Sequence, residues 1–283
     1  MINIGIVGLG LIGGSIGLDL RTLGYHVLGV SRREQSCQKA LALGAVDEAS
    51  LDLSLLSIAD VIFICTPIAV IIPTLEELIP ILSPTTILTD VGSVKAPIVE
   101  AVSDIWPNFV GGHPMAGKAE NGIEVAQLGL FQNRPYVLTP TENTPLESIE
   151  KVEAIARMLK SKVYFCDPYE HDRAVALISH LPVMASASLI LACMSEANPT
   201  VFKLTQDLAS SGFRDTSRVG GGNPELGLMM AKYNSGEVLR SLYSFREQID
   251  QFIQQIEQED WQTLEEKLRY TEQNRKLFLH HEI

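Results

Sequence analysis

The sequence predicts two domains of different class, an α/β domain over residues 1–167 followed by an all-α domain over residues 168–283. Three observations carry that division. Short apolar runs alternate with helical stretches through the first half, the rhythm of a mainly parallel sheet covered by helices on both faces. Glycines cluster where the first strand turns into the first helix. Beyond Asp167-Pro168 the strand signals stop and only long helical patterns follow.

The elements justify themselves in order. Asn3-Ile4-Gly5-Ile6-Val7 is a short apolar run ending in glycines, and residues 12–23 then read as a helix. Residues 25–30 are the next strand and 34–43 the next helix. Val61-Ile62-Phe63-Ile64-Cys65 is continuous, β-branched and aromatic, as a strand buried on both faces requires. Thr66-Pro67 stops it. Residues 86–90, 109–111, 136–138 and 163–165 are further strands. In the second half, 237–259 and 261–279 carry helical spacing, with Leu239, Leu242, Phe245, Ile249, Phe252, Ile253 and Ile256 on one stripe. Gly220-Gly221-Gly222-Asn223-Pro224 punctuates them as a loop.

Composition narrows the classes. The 283 residues hold 22 Lys plus Arg against 34 Asp plus Glu, a net charge of −12. A nucleic-acid binder needs a basic face to displace counterions, so that class is disfavoured. Four scattered cysteines with no Cys-x-x-Cys argue against a disulfide framework or a metal site, and fit a reducing cytoplasm. Residues 1–18 lack a basic flank and contain six glycines, which is wrong for a signal peptide. Residues 174–195 are long and apolar enough to span a bilayer. They carry His180, Pro182 and four serines with no selective basic flank, and so are expected to form a buried helix of a soluble protein.

Gly8-Leu9-Gly10-Leu11-Ile12-Gly13 follows a strand and opens a helix, the context a dinucleotide motif requires. Gly8 permits the tight turn, Gly10 lets the backbone approach a pyrophosphate, and Gly13 allows close packing. Leu11 and Ile12 bring the first helical N–H groups to the same place. The domain is therefore expected to be Rossmann-type, with Thr66 and Pro67 at the cofactor edge. NAD sites carry an acid about 20 residues further on, to hold the ribose 2′-hydroxyl. Ser31-Arg32-Arg33 stands there instead, and a hydroxyl with two guanidiniums suits a 2′-phosphate. NADP is the expected cofactor.

Six histidines supply the acid–base candidates. His26 borders a strand, and His280 and His281 lie in the tail. His113, in Gly111-Gly112-His113-Pro114-Met115-Ala116-Gly117, follows a strand at the ligand-facing edge, where small neighbours leave room for proton transfer or for a structural histidine. Ser93, in Asp90-Val91-Gly92-Ser93-Val94-Lys95, ends another strand, as a site residue or as a helix N-cap.

Taken together, these residues resemble the prephenate/arogenate dehydrogenases of tyrosine biosynthesis. The resemblance runs through the glycine motif, the two segments just quoted, His171-Asp172, Ser179-His180-Leu181-Pro182 and Gly212-Phe213-Arg214-Asp215-Thr216-Ser217-Arg218. It implies oxidative decarboxylation of a cyclohexadienol, with His113 accepting the ring-hydroxyl proton and Ser93 orienting that hydroxyl. Arg218, or Arg214, would pair with a substrate carboxylate, while His180 and His171 would shape the site. The helical domain would form a homodimer. Two departures fall near the substrate's side-chain end. Val183 replaces the histidine of Ser-His-Leu-Pro-His, and Ala119 replaces a glutamate. They weaken the case for a pyruvyl side chain, and NADP preference in a short single-function chain looks like the arogenate-specific members of cyanobacteria and plants, against prephenate as the alternative substrate. A 3-hydroxyacid dehydrogenase would need a lysine in the helical half, where residues 169–231 offer only Lys203. A non-catalytic NADP(H) sensor would need none of Ser93, His113 and Arg218.

Overall fold

The computed structural model describes residues 2–118 and 120–279. Ala119, His280 and His281 lie outside them. Eight strands form one sheet: β1 (Asn3–Val7), β2 (His26–Val30), β3 (Glu48–Ser50), β4 (Val61–Ile64), β5 (Ile87–Asp90), β6 (Phe109–Pro114), β7 (Pro135–Thr139) and β8 (Lys162–Phe165). Their order is β3-β2-β1-β4-β5-β6-β7-β8. Neighbours run parallel, except that β7 lies antiparallel to β6. This is a Rossmann-type sheet, and its order reverses between β1 and β4, where such sheets open a crevice for ligand.

Period-two alternation divides the core. Ile4, Ile6 and Phe63 face one side, packed with Ile16 and Leu20 of α1 (Leu11–Thr22) and Ala40 of α2 (Glu34–Ala42). Val7, Ile62 and Ile64 face the other, against Ile71 and Leu75 of α3 (Ile68–Leu78) and Ile98 and Val102 of α4 (Ala96–Ser103). Further along the first face, Val152 and Ile155 of α5 (Leu146–Met158) cover Tyr136 and Leu138.

The structure differs from the sequence expectation at β3 and β6. β3 is three half-exposed residues, Glu-Ala-Ser, with no apolar run to announce it. β6 continues through Gly112, His113 and Pro114, so His113 lies within a strand and not after one. Pairing supplies the reason: Gly112 stands opposite Leu138 and His113 opposite Val137. Leu138 is fully buried, and burying such a side chain contributes roughly 1.5–3 kcal/mol, more than the ~1 kcal/mol that a strand glycine costs.

Helices fill the second half. Asp167 caps α6 (Pro168–Val175), its carboxylate accepting from the Tyr169 and Glu170 N–H groups at 2.8 and 3.2 Å. A π-helical turn, Ala176–His180, leads directly into α7 (Leu181–Met194). Then come α8 (Pro199–Leu208), α9 (Ser211–Ser217), α10 (Pro224–Tyr233), α11 (Ser235–Glu257) and α12 (Trp261–Arg275). Met229 and Tyr233 of α10 pack against the α3–α4 face of the sheet.

The expectation of a helix buried within the chain over residues 174–195 is corrected. Residues 168–194 form one long apolar helical run, yet only 22% of its most apolar window is buried. Val175, Ala176, His180 and Ser186 face inward, whereas Ile178, Leu191 and Met194 are exposed. Apolar character says that a face is covered, not which molecule covers it.

Candidate active site

The turn after β1 is built for close approach. Gly8 has φ +100°, and a Cβ there would sit 2.6 Å from the Cys65 carbonyl oxygen. A Cβ on Gly13 would lie 2.2 Å from the Gly8 oxygen, whereas around Gly10 the space is open to 4 Å. No side chain caps the first turn of α1, so Leu11 and Ile12 present their N–H groups to that space. Thr66, at the neighbouring end of β4, has a buried hydroxyl with no partner among the described residues, and Pro67 opens α3 beside it. At the end of β2, Ser31 Oγ accepts the Arg33 N–H at 3.4 Å. Arg32 and Arg33 are exposed at the uncapped start of α2. A dinucleotide fits this edge: open space over Gly10, free helix N–H groups, an orphaned hydroxyl and two cations.

Across the sheet edge stands a buried histidine chain. His113 Nδ1 lies 2.8 Å from His171 Nε2, and His171 Nδ1 lies 2.8 Å from Asp172 Oδ1. The same carboxylate accepts the Lys95 and Ala96 N–H groups at 2.7 and 2.9 Å, at the N-terminus of α4. Asp172 can only accept, so the protons order themselves outward. His171 donates from Nδ1 and accepts at Nε2, and His113 donates from Nδ1. His113 Nε2 is left with a lone pair and no partner among the described residues.

Burial is the main reason the His113 imidazole titrates well below its usual range, with His171, Lys95 and His180 adding to the effect. It is therefore neutral at pH 7. His180, fully buried in the π turn, accepts at Nδ1 from the Asn234 amide at 3.3 Å. Its Nε2–H has no partner among the described residues. Burial also lowers His180, to about 4.

The sequence candidates do not all converge. His113, His171 and Asp172 join directly, and His180 is tied to them through Asn234, whose amide also donates to the Asp172 carbonyl at 2.8 Å. Ser93 sits in the β5–α4 loop with its hydroxyl buried and unpartnered among the described residues, and Lys95, not Ser93, is the N-cap of α4. Arg214 is exposed and pairs with Asp215 at 3.2 Å. Arg218 is exposed too, without an ion pair among the described residues. Its loop is anchored to α7 where Ser186 Oγ accepts the Gly220 N–H at 2.8 Å. Val183 packs beside Gly227 of α10. Lys203 is exposed and bound to Asp207 at 2.6 Å, no setting for a catalytic lysine.

Sequence reasoning did not give Asp172, Asn234 or the Asp90–Lys95 pair a role. Asp172 and Lys95 lie in segments already singled out, beside His171 and after Ser93-Val94, and that proximity was the available signal. Asn234 gave none, being 54 residues from His180.

A dinucleotide-binding sheet joined to a helical half, with a neutral buried histidine at the junction, defines a two-domain dehydrogenase. Comparison with known proteins names the family. Residues 16–165 match the prephenate dehydrogenase nucleotide-binding domain, and residues 167–270 match the prephenate dehydrogenase dimerization domain. The chain belongs to the prephenate dehydrogenase family. The crystal structure of Synechocystis arogenate dehydrogenase is similar at 54% identity and a TM-score of 0.89, over 98% of this chain and 100% of that one. Prephenate dehydrogenase from A. aeolicus, in complex with hydroxyphenyl propionate and NAD+, is similar at 27% identity and a TM-score of 0.91, over 98% of each chain. Among curated relatives, the prephenate dehydrogenase of Bacillus subtilis is 32% identical over 92% of this chain and 71% of its own length.

Proposed function

We propose that this chain is an NADP-dependent arogenate dehydrogenase, converting L-arogenate to L-tyrosine and CO2. The observation that carries the mechanism is the Asp172–His171–His113 chain, which leaves His113 Nε2 free to accept a proton. When bound, NADP supplies the hydride acceptor. His113 takes the proton of the ring 4-hydroxyl as the C4 hydrogen departs with its electron pair. The resulting imidazolium donates through Nδ1 to His171, whose contact with Asp172 favours the new charge. Loss of the ring carboxylate as CO2 leaves its electron pair in the ring, which becomes a phenolate. His113 then returns the proton and is neutral again.

The other residues support this step. Ser93 Oγ and His180 Nε2 are buried groups lacking partners among the described residues, and we assign them to the substrate, Ser93 to its hydroxyl. Arg218, with Arg214 as the second choice, pairs with a carboxylate. Gly8, Gly10, Leu11, Ile12, Gly13, Thr66 and Pro67 hold the dinucleotide, and Ser31, Arg32 and Arg33 its 2′-phosphate. Residues 1–167 form the cofactor domain. Residues 168–283 pair two copies, which would cover Ile178, Leu191 and Met194. Free Cys37, Cys65, Cys166 and Cys193 fit a cytoplasmic enzyme.

Arogenate is preferred to prephenate because Val183 supplies no imidazole for a keto-acid side chain, and because of the likeness to the Synechocystis enzyme. NADPH or NADH formation with arogenate and with prephenate, each against NADP and NAD, tests this reading. Turnover with arogenate and NADP is expected. Turnover with prephenate alone would keep the chemistry and overturn the substrate.

A further inference from the structure

Lys95 is fully buried where β5, β6 and α6 meet. Its ammonium donates to the Asp90 carboxylate, itself fully buried, and to the Gly112 carbonyl at 2.8 Å. Asp90 in turn accepts the Gly92 N–H at 2.8 Å and the Gly112 N–H at 3.1 Å. Gly92 precedes Ser93 and Gly112 precedes His113, so one ion pair joins the backbones beside both groups. The main chain of Lys95 also donates to Asp172, which holds His171 against His113. Its side chain thus fixes the strand that carries His113, and its backbone fixes the chain of contacts behind it.

A buried ion pair is a poor source of stability, because desolvating both charges offsets most of their attraction. What this pair contributes is geometry and charge. We propose that Lys95, paired with Asp90, is a positioning residue that aligns His113 with Ser93. The proposal rests on His113 as the proton acceptor. The groups around that imidazole are Lys95 before α4, Asp90 from β5, His171 and Asp172 from α6, and His180 from the π turn. Cys65 just after β4 and Tyr136 of β7 complete the set, and burial keeps both protonated. Lys95 is among the groups that lower His113, so removing its charge raises His113 and moves the acid limb of activity to higher pH.

The experiment compares full-length Lys95→Met, Lys95→Arg and the double variant Lys95→Met with Asp90→Asn, with His113→Asn alongside. Thermal melting and the pH dependence of kcat and kcat/KM are recorded with arogenate and NADP. For Lys95→Met we expect kcat to fall about 100-fold with KM changed less than about threefold. Its acid limb should move to higher pH. Lys95→Arg should restore the limb but not the full rate, and the double variant should keep the rate loss with a smaller shift. Should Lys95→Met not fold, the double variant is decisive, since it buries no unpaired charge. Wild-type rate and limb in a folded Lys95→Met or double variant would overturn the proposal. So would a rate loss matched by melting alone with an unmoved limb, or a double variant unable to fold, either of which makes the pair purely structural. Full activity in His113→Asn would instead overturn the proton-acceptor assignment itself.

Discussion

His113 Nδ1 sits 2.8 Å from His171 Nε2, although the residues are 58 positions apart and belong to the sheet and the helical half respectively. The contact ties the chemistry to the junction between the two halves. His113 is carried by β6 and its partner by α6, and α6 is itself held to α4 by the two bonds that Asp172 accepts. The setting of the base therefore depends on how the helical half is seated against the sheet. This explains how a dinucleotide fold shared by many enzymes acquires one chemistry here.

Asp172→Asn tests the outward ordering of protons. The amide keeps the volume but can donate, so His171 can adopt the opposite tautomer and His113 loses its accepting Nε2. A kcat loss of about 100-fold or more is expected with KM nearly unchanged. Steady-state kinetics on a variant shown to be folded decides it. An unchanged kcat would remove Asp172 from the account.

Acid should weaken the protein through the same histidines. In the unfolded chain they take up protons near pH 6.5, whereas His180 in the folded chain does so only near 4 and His113 also resists. The unfolded state thus binds more protons in that window, and stability present above pH 6.5 is lost as pH falls toward about 4. Denaturant melts across that range should show the loss, and His180→Gln should flatten it. Parallel curves for the two proteins would count against a buried neutral His180.

Much of this was legible in the sequence because it is local. Gly8 and Gly10 lie between a five-residue apolar strand and a helix that carries Gly13 in its first turn, and that order alone predicts the turn. Asp167-Pro168 announces a capped helix start in two residues. What was not legible depends on distant partners. Gly112 and His113 are poor strand formers made into strand by β7, and β3 is too short and polar to register. Apolar length likewise predicted a helix over residues 174–195 but not the exposure of Leu191. At the site, the histidine candidates could be singled out, but the contact between His113 and His171 could not.

The 2′-phosphate assignment is tested by changing Arg32 and Arg33 together to Asp. Each charge-assisted bond contributes roughly 1.5–3 kcal/mol, so NADP use should fall at least about 10- to 100-fold while NAD use is largely spared. Michaelis constants for both cofactors give the answer. Unchanged NADP kinetics would place the phosphate elsewhere.

The exposed face of α7 predicts an assembly. Leu191 is 67% exposed and Met194 62% in the single chain, and Ile178 in the π turn that leads into α7 is exposed as well. Sedimentation equilibrium should find a dimer, and Leu191→Asp should shift it toward monomer. A wild-type monomer at micromolar concentration would refute a self-paired helical half.

The most direct measurement is the rate of His113→Asn with arogenate and NADP, set against its NADP affinity by titration. The account predicts a kcat about 10²- to 10⁴-fold lower with NADP binding unchanged, because Asn cannot accept the proton while the glycine turn is untouched. A loss smaller than tenfold, or one explained by weaker NADP binding, would contradict it.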